Sequence, residues 1–233
     1  MRMRKKKHGA ERIAALSHLC LDPSLQKPGS LAEIFGNTNP TELEIGCGKG
    51  AFILEKARQN PAVNYVAMER VADVMLTGLE RCAEENLTNI RFLNADARDL
   101  TSYFAPGEIA RIYLNFSDPW PKKGYAKRRL TYRTFLADYQ KILAKDGVIE
   151  MKTDNVILFD SSLEEFALTG YVCDQLTRDL HRSEWNDGNI MTEYERNFSS
   201  QGMPIHRVVA HRPEKPISLQ KTEKKAAAEP LSE

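Results

Sequence analysis

The segment Glu42-Leu43-Glu44-Ile45-Gly46-Cys47-Gly48-Lys49-Gly50-Ala51-Phe52-Ile53-Leu54 constrains this chain more than any other. A short apolar run stops at three glycines spaced two apart, and a helix-like pattern begins at once. A strand that turns sharply into a helix, and brings its backbone close to a ligand, needs residues without a Cβ. The same alternation continues to about residue 212. Apolar runs stand at 43–45, 65–68, 90–93, 109–114, 148–151 and 205–209. Between them, Val71, Val74, Met75, Leu79, Cys82 and Ala83 recur at helical spacing, as do Tyr132, Phe135, Leu136, Tyr139, Ile142 and Leu143. Strands alternating with helices predict an α/β chain with a mostly parallel, doubly wound sheet and helices on both faces. One domain is expected over 40–212, preceded at 1–39 by a basic arm and helix. A disordered tail is expected at 213–233, rich in Pro, Lys, Glu and Ala and free of aromatic residues. Ligands of such a sheet bind at the carboxyl ends of its strands.

Charge and cysteine content narrow the class. Of the 233 residues 42% are hydrophobic, enough for a sizeable core and too many for a disordered chain. The 33 basic and 32 acidic residues almost cancel, yet residues 1–12 hold six Lys/Arg against one acid, and residues 119–133 hold six and no acid. An acidic body with two basic patches points to a polyanion met at a defined place. The four cysteines, Cys20, Cys47, Cys82 and Cys173, form no CxxC pair. That spacing argues against a zinc or disulfide framework, so no metal is expected, and free thiols fit the cytoplasm. The apolar stretch 13–21 superficially resembles a signal peptide, but His18 interrupts it and Asp22-Pro23 stands where small residues should be cleaved. It reads as an amphipathic helix. No stretch approaches the ~20 apolar residues of a membrane span.

Glycine spacing then selects the ligand. A dinucleotide loop reads GxGxxG, and a Walker loop needs Ser or Thr after its lysine, whereas Lys49 is followed by Gly50. Glu69 ends the second apolar run, where a carboxylate accepts both hydroxyls of a ribose; a first-turn helix acid is the plainer alternative. Asp96, after the third run, suits an adenine amino group, or is a loop acid. Cys47 reads as a small residue that fits between glycines. The acidic-x-GxGxG pattern of Glu44, Gly46, Gly48 and Gly50 resembles the first motif of the Rossmann-like class I methyltransferases that use S-adenosylmethionine.

The fourth run leads into Asn115-Phe116-Ser117-Asp118-Pro119-Trp120-Pro121-Lys122-Lys123. Prolines fix the backbone, Trp120 offers a stacking face, and Asp118 sits beside it. The segment is similar to the Asn-Pro-Pro-aromatic motif of amino-group methyltransferases, with Asp in place of Asn. A carboxylate accepts from guanine N1–H and the 2-amino group together, leaving N7 free on the far side of the base. With Lys127-Arg128-Arg129-Leu130, Lys152-Thr153-Asp154 and Thr192-Glu193-Tyr194-Glu195, this segment resembles the bacterial tRNA guanine-N7 methyltransferases, which modify position 46 of the variable loop. The resemblance covers roughly 40–212. It implies that Glu44, Glu69, Asp96 and Asp118 surround the cofactor, with Asp118 catalytic. It also implies that Lys122, Asp154, Thr192, Glu193, Tyr194 and Glu195 bind substrate, and that Gly124, Tyr125, Ala126, Lys127, Arg128 and Arg129 contact RNA. Gly124-Tyr125 stands where Arg-His is usual, and Asn197 where a basic residue is common.

Guanine N7 carries a free lone pair at neutral pH, so its methylation needs no general base, and proximity and electrostatics dominate. The stretch Lys122, Lys123, Lys127, Arg128, Arg129 and Arg133, interleaved with Trp120, Tyr125 and Tyr132, reads as a phosphate-binding rim beside a pocket for an extruded base. Asp154 assists from the strand end or caps a helix over 155–167. Glu193 and Glu195 reach the ligands or form a charged helix face. Arg2, Arg4, Lys5, Lys6 and Lys7 read as a mobile arm. The competing functions are an RNA amino-group methyltransferase and a non-catalytic RNA-binding protein; the oligomeric state is silent in the sequence.

Overall fold

A computed structural model describes residues 6–220. Eight strands form one sheet: β1 (Cys20–Leu21), β2 (Thr41–Ile45), β3 (Asn64–Met68), β4 (Ile90–Leu93), β5 (Ile109–Asn115), β6 (Leu143–Thr153), β7 (Val172–Thr177) and β8 (His206–His211). Their order is β1-β4-β3-β2-β5-β6-β8-β7, parallel except for β8, which runs antiparallel to both β6 and β7. The helices are α1 (Gly9–Ala15), α2 (Leu31–Phe35), α3 (Ala51–Gln59), α4 (Ala72–Glu84), α5 (Leu100–Tyr103), α6 (Arg133–Ile142), α7 (Val156–Thr169) and α8 (Glu193–Ser199). This is the doubly wound sheet that the alternating pattern predicts.

Central strands are buried on both faces, which is why they read as continuous apolar runs. In β3, Tyr65 and Ala67 pack with Phe52, Ile53 and Leu54 of α3 and Met75, Leu76 and Leu79 of α4. Val66 and Met68 face the other layer, with Leu136 and Tyr139 of α6 and Phe159 and Phe166 of α7. The apolar stripes of α4 and α6 close these layers. Strand order reverses between β2 and β5, which sit side by side. Their carboxyl ends therefore open into the crevice where a doubly wound sheet takes its ligands.

The edges differ from the sequence reading. Stretch 13–21 is not one helix: α1 ends at Ala15, a 3-10 turn spans Ser17–Leu19, and Cys20 and Leu21 pair in parallel with Phe92 and Leu93. The short strand satisfies backbone groups along the open side of β4, which a helix would leave unpaired. β7 is absent from the apolar runs because it is the opposite edge, where Val172 and Leu176 are exposed and alternate with polar residues.

The basic arm is only partly outside the described residues. Arg2, Arg4 and Lys5 are, but the Lys6 amide donates to Asp73 at 3.3 Å and its ammonium to Thr77 at 2.6 Å. Arg12 donates to Glu80 at 2.7 Å. These two cations dock the N-terminal segment on α4. The start of the expected tail is also held: the buried Gln140 side chain donates to the Pro213 and Lys215 carbonyls and accepts from the Ile217 amide.

One close contact sets the glycine loop against α4. Gly50, at φ +76°, has an ideal Cβ position 3.3 Å from the Gly78 Cα, and a Cβ on Gly78 would stand 2.8 Å from the Lys49 carbonyl oxygen. Gly78→Ala gains about 1 kcal/mol of helix propensity but forces backbone apart, at ~1–3 kcal/mol. Net destabilisation is expected, read as a lower urea midpoint at unchanged m-value. A raised midpoint would refute the contact.

Candidate active site

The loop after β2 is built from three left-handed glycines. Gly46 (φ +79°) and Gly48 (φ +57°) have only open space where a Cβ would project, so their backbone forms a bare wall. The Gly46 and Cys47 amides both donate to the Met68 carbonyl, at 2.9 and 3.0 Å. Glu69 fastens the loop from its side chain, accepting from the Gly48 amide at 3.1 Å and from the Val71 amide at 2.9 Å. Gly50 lies behind this wall against α4 and lines no part of the cleft, so its requirement is packing.

The cleft lies at the carboxyl ends of β2 to β5 and has two lobes. The larger, about 760 Å³, is bounded by Gly46, Glu69, Asp96, Asp118, Trp120 and Arg128. The smaller, about 380 Å³, is bounded by Glu44, Gly48, Thr192, Glu193 and Tyr194. Gly46, Asn115 and Phe116 belong to both. The lobes meet at Phe116, whose ring packs on Tyr194 at 5.0 Å. The sequence motifs thus point to residues from both lobes, but attach no role to Asn115 or Phe116, although both lie in the motif segment 115–123 and line both lobes.

Backbone strain frames Asp118. Phe116 (φ 51°) and Trp120 (φ 41°) both lie in the left-handed region, and Trp120 does so immediately before a proline. Such residues cost ~1–2 kcal/mol each and persist only where their surroundings hold them. The Phe116 amide donates to the Lys152 carbonyl at 2.8 Å, and Arg129 donates to the Pro119 and Trp120 carbonyls at 3.0 and 3.1 Å. Two of the Arg129 donors, Nε and Nη2, are thereby engaged by the loop itself. Arg128 lies between the Trp120 and Tyr125 rings, 4.8 and 4.7 Å from their centres, at the mouth of the larger lobe beside Lys127. Arg133 is buried against Glu165 at 2.7 Å and does not belong to the rim. Lys122, Gly124 and Ala126 lie on the loop outside both lobes.

The carboxylates differ in environment. Glu44 is 2% exposed; its Oε1 accepts from Asn115 Nδ2 at 2.9 Å while Oε2 has no partner among the described residues. Burial pushes its pKa up to about 7 against the pull of the Asn115 hydrogen bond and the Lys152 charge, with Glu69 adding to the rise. Asn115 Oδ1 is likewise buried and unpartnered. Asp96 accepts two bonds from the Arg98 guanidinium and one from its amide, which hold its pKa below the usual carboxylate range. Burial, then Glu44 and Glu69, drive the Cys47 thiol well above its ordinary value, so it is no nucleophile.

The last motif is arranged differently from an exposed charged face. Thr192 caps α8 and Glu195 completes the capping box, but Glu195 has no exposed surface and pairs with the Lys152 ammonium at 2.7 Å. Of the two glutamates only Glu193 is exposed, paired with Lys49 at 2.9 Å. Asp154 is half-buried at the end of β6 and lines neither lobe; Asn155, not Asp154, caps α7 by accepting from the Leu158 amide. Among the described residues no group of three or more His, Cys, Asp or Glu could hold a metal ion, and no helix is long and apolar enough to cross a membrane.

Comparison with known proteins agrees with this architecture. A family model described as a putative methyltransferase matches residues 38–208. The chain is 51% identical over 212 residues to a tRNA (guanine-N(7)-)-methyltransferase of Lachnoclostridium phytofermentans, spanning 91% of this chain and 99% of the relative. It is 46% identical over 217 residues to the enzyme of that name from Bacillus cytotoxicus, spanning 93% and 100%. Among solved structures, the 16S rRNA methyltransferase KamB shares the fold with a TM-score of 0.61 at 14% identity, over 81% of this chain and 95% of that one.

The Glu44 environment makes stability depend on pH. The folded protein holds its proton up to about pH 7 and the unfolded chain only to about 4.5. Stability is therefore full below pH 4.5 for this group and declines as pH rises through 7, by about 3 kcal/mol in total. Glu44→Gln is expected to remove that decline, so that the variant overtakes the parent at pH 8 in denaturant titrations. Parallel pH profiles would contradict it.

Proposed function

Because this chain belongs to the tRNA (guanine-N(7)-)-methyltransferase family, we propose that it transfers a methyl group from S-adenosylmethionine to N7 of a tRNA guanosine, at position 46 of the variable loop. The observation that carries the reading is the cleft itself. It lies at the sheet's switch point and has a bare glycine wall. Two buried acceptors border it, Asn115 Oδ1 where the lobes meet and Glu44 Oε2 on the smaller lobe, and nothing among the described residues satisfies them.

These residues fit the cofactor. Orphaned buried acceptors are costly and call for a donor; an ammonium supplies it, so Glu44 and Asn115 would hold the amino-acid end. Glu69 and Asp96, on the larger lobe, would take the ribose hydroxyls and the adenine. Gly46 and Gly48 would let the ligand lie against the backbone. Gly50 supports them through its contact with Gly78. When bound, S-adenosylmethionine supplies an electrophilic methyl group on a sulfonium.

The remaining chemistry belongs to the chain. Asp118, at the mouth of the larger lobe, would accept from guanine N1–H and the 2-amino group and present the N7 edge. No proton leaves N7, so no base is required there. The carboxylate also stabilises positive charge as it develops on the purine. The rigid, strained turn from Phe116 to Trp120 would keep Asp118 in place. Lys127 and Arg128 would meet tRNA phosphates beside the lobe, with Lys122 and Gly124 to Ala126 on the same loop. Thr192, Glu193 and Tyr194 would touch the bound ligands from the smaller lobe. Asp154 would contribute from the end of β6, and Glu195 through the wall it supports. With tRNA as substrate, the cytoplasm is the place of action.

The test incubates the protein with S-adenosylmethionine and unmodified tRNA, then identifies the methylated nucleoside and maps it by reduction and aniline cleavage. 7-Methylguanosine at position 46 is the expected product. Label on an exocyclic amine, or at another guanosine, would overturn the assignment. Asp118→Asn is expected to lower turnover roughly 10²-fold or more. Full turnover with undiminished cofactor binding would remove Asp118 from its role.

A further inference from the structure

Among the described residues Lys152 is the most deeply buried cation, 1% exposed near the end of β6. All three of its donors are used: it gives to Asn189 Oδ1 at 3.0 Å, the Ile190 carbonyl at 2.9 Å and Glu195 Oε2 at 2.7 Å. Its ammonium also stands 5.1 Å from the Phe52 ring centre, at the start of α3 just after the glycine loop. Asn189 Nδ2 donates to Glu195 Oε1 at 2.8 Å, and His181 Nε2 lies 3.2 Å from the same oxygen. On the neighbouring strand Lys152 is in register with Asn115, whose amide reaches Glu44.

This row joins two walls that sequence distance keeps apart. On one side stands Glu44, lining the smaller lobe from β2. On the other stand Asn189, Ile190 and Glu195, whose neighbours Thr192, Glu193 and Tyr194 line the same lobe from α8. We propose that Lys152 is a positioning residue of the cleft, pinning the 189–195 wall while supplying positive charge to the Glu44 carboxylate across the Asn115 strand. The inference rests on the cofactor reading given above.

The charges that face the pair are few. Glu44 is acted on by Lys152, Glu69 and the Cys47 thiol, and is hydrogen-bonded by Asn115. Lys152 faces Glu195, Glu44 and Glu150, and Glu150 is already engaged by Arg111 and Arg207. A buried pair kept only for packing would tolerate neutral replacement of both partners. A cation that also serves Glu44 would not.

The test uses the full-length protein carrying Lys152→Met/Glu195→Gln, which removes the cation without stranding the Glu195 charge; Lys152→Arg keeps the charge. The Glu44 carboxyl is followed by ¹³C NMR, assigned with Glu44→Gln, and S-adenosylmethionine binding is measured by calorimetry from pH 6 to 9. In the double variant the Glu44 midpoint is expected to rise by about one unit, weakening binding roughly fivefold at pH 7 and recovering toward the parent by pH 9. Lys152→Arg is expected to leave the midpoint in place. A folded double variant with an unmoved Glu44 midpoint, or with a loss equal at every pH, overturns the proposal. Failure of the parent protein to bind S-adenosylmethionine would instead sink the cofactor reading, and the NMR titration would still decide the part played by Lys152.

Discussion

Two amides on one carbonyl hold the cleft together. By donating jointly to Met68, Gly46 and Cys47 fix where the chain leaves β2, and Glu69 fixes the next turn through the Gly48 amide. Everything downstream takes its place from that fastening. α3 starts where the loop ends, α4 approaches as closely as Gly50 and Gly78 allow, and the glycine wall faces the ends of β3, β4 and β5. The chain spends left-handed glycines, at a cost in unfolded-state entropy, to keep this wall free of side chains.

Charge burial is the second theme, and it is concentrated at the strand ends. Glu44 and Lys152 on the sheet and Glu195 on α8 are each at most 2% exposed. Lys152 and Glu195 are fully hydrogen-bonded, the condition under which a buried pair is tolerated. Glu44 is not, and its free oxygen is the kind of deficit that proteins keep where a ligand completes the set. The same region holds the non-glycine residues Phe116 and Trp120 in left-handed conformations. Local cost and ligand-facing geometry coincide, as expected where function overrides stability.

What the sequence discloses follows from which signals are local. A strand buried on both faces must be a continuous apolar run, so β2 to β6 and β8 are legible, and residues just past the runs of the parallel strands have to sit together at one edge. That is why Glu69, Asp96 and Asp118 meet on one lobe, while Glu44, inside the first run, lines the other. β7 and β1 are not legible, because one alternates at an exposed edge and the other is two residues long. The basic loop shows the same limit. Arg128, Arg129 and Arg133 look alike in sequence, but Arg129 folds back on two nearby carbonyls and Arg133 is claimed by Glu165, 32 residues later. The burial of Glu195 is not legible, because its partner Lys152 lies 43 residues away in the chain.

Strand order also bears on how the chain emerges during synthesis. β1 is made long before β4, so the partner that covers one edge of the sheet is waiting when that edge appears. The other side has no such provision. β6 is complete at Thr153, but its antiparallel neighbour β8 ends at His211. At ~5–20 residues per second, β6 stands with an unpaired edge for about 3–12 s of translation. During that interval the mostly apolar stretch from Val148 to Met151 offers free backbone donors and acceptors to any other nascent strand. The late return of the chain to fill the gap between β6 and β7 makes the nascent protein most exposed to mispairing between the completion of β6 and that of β8.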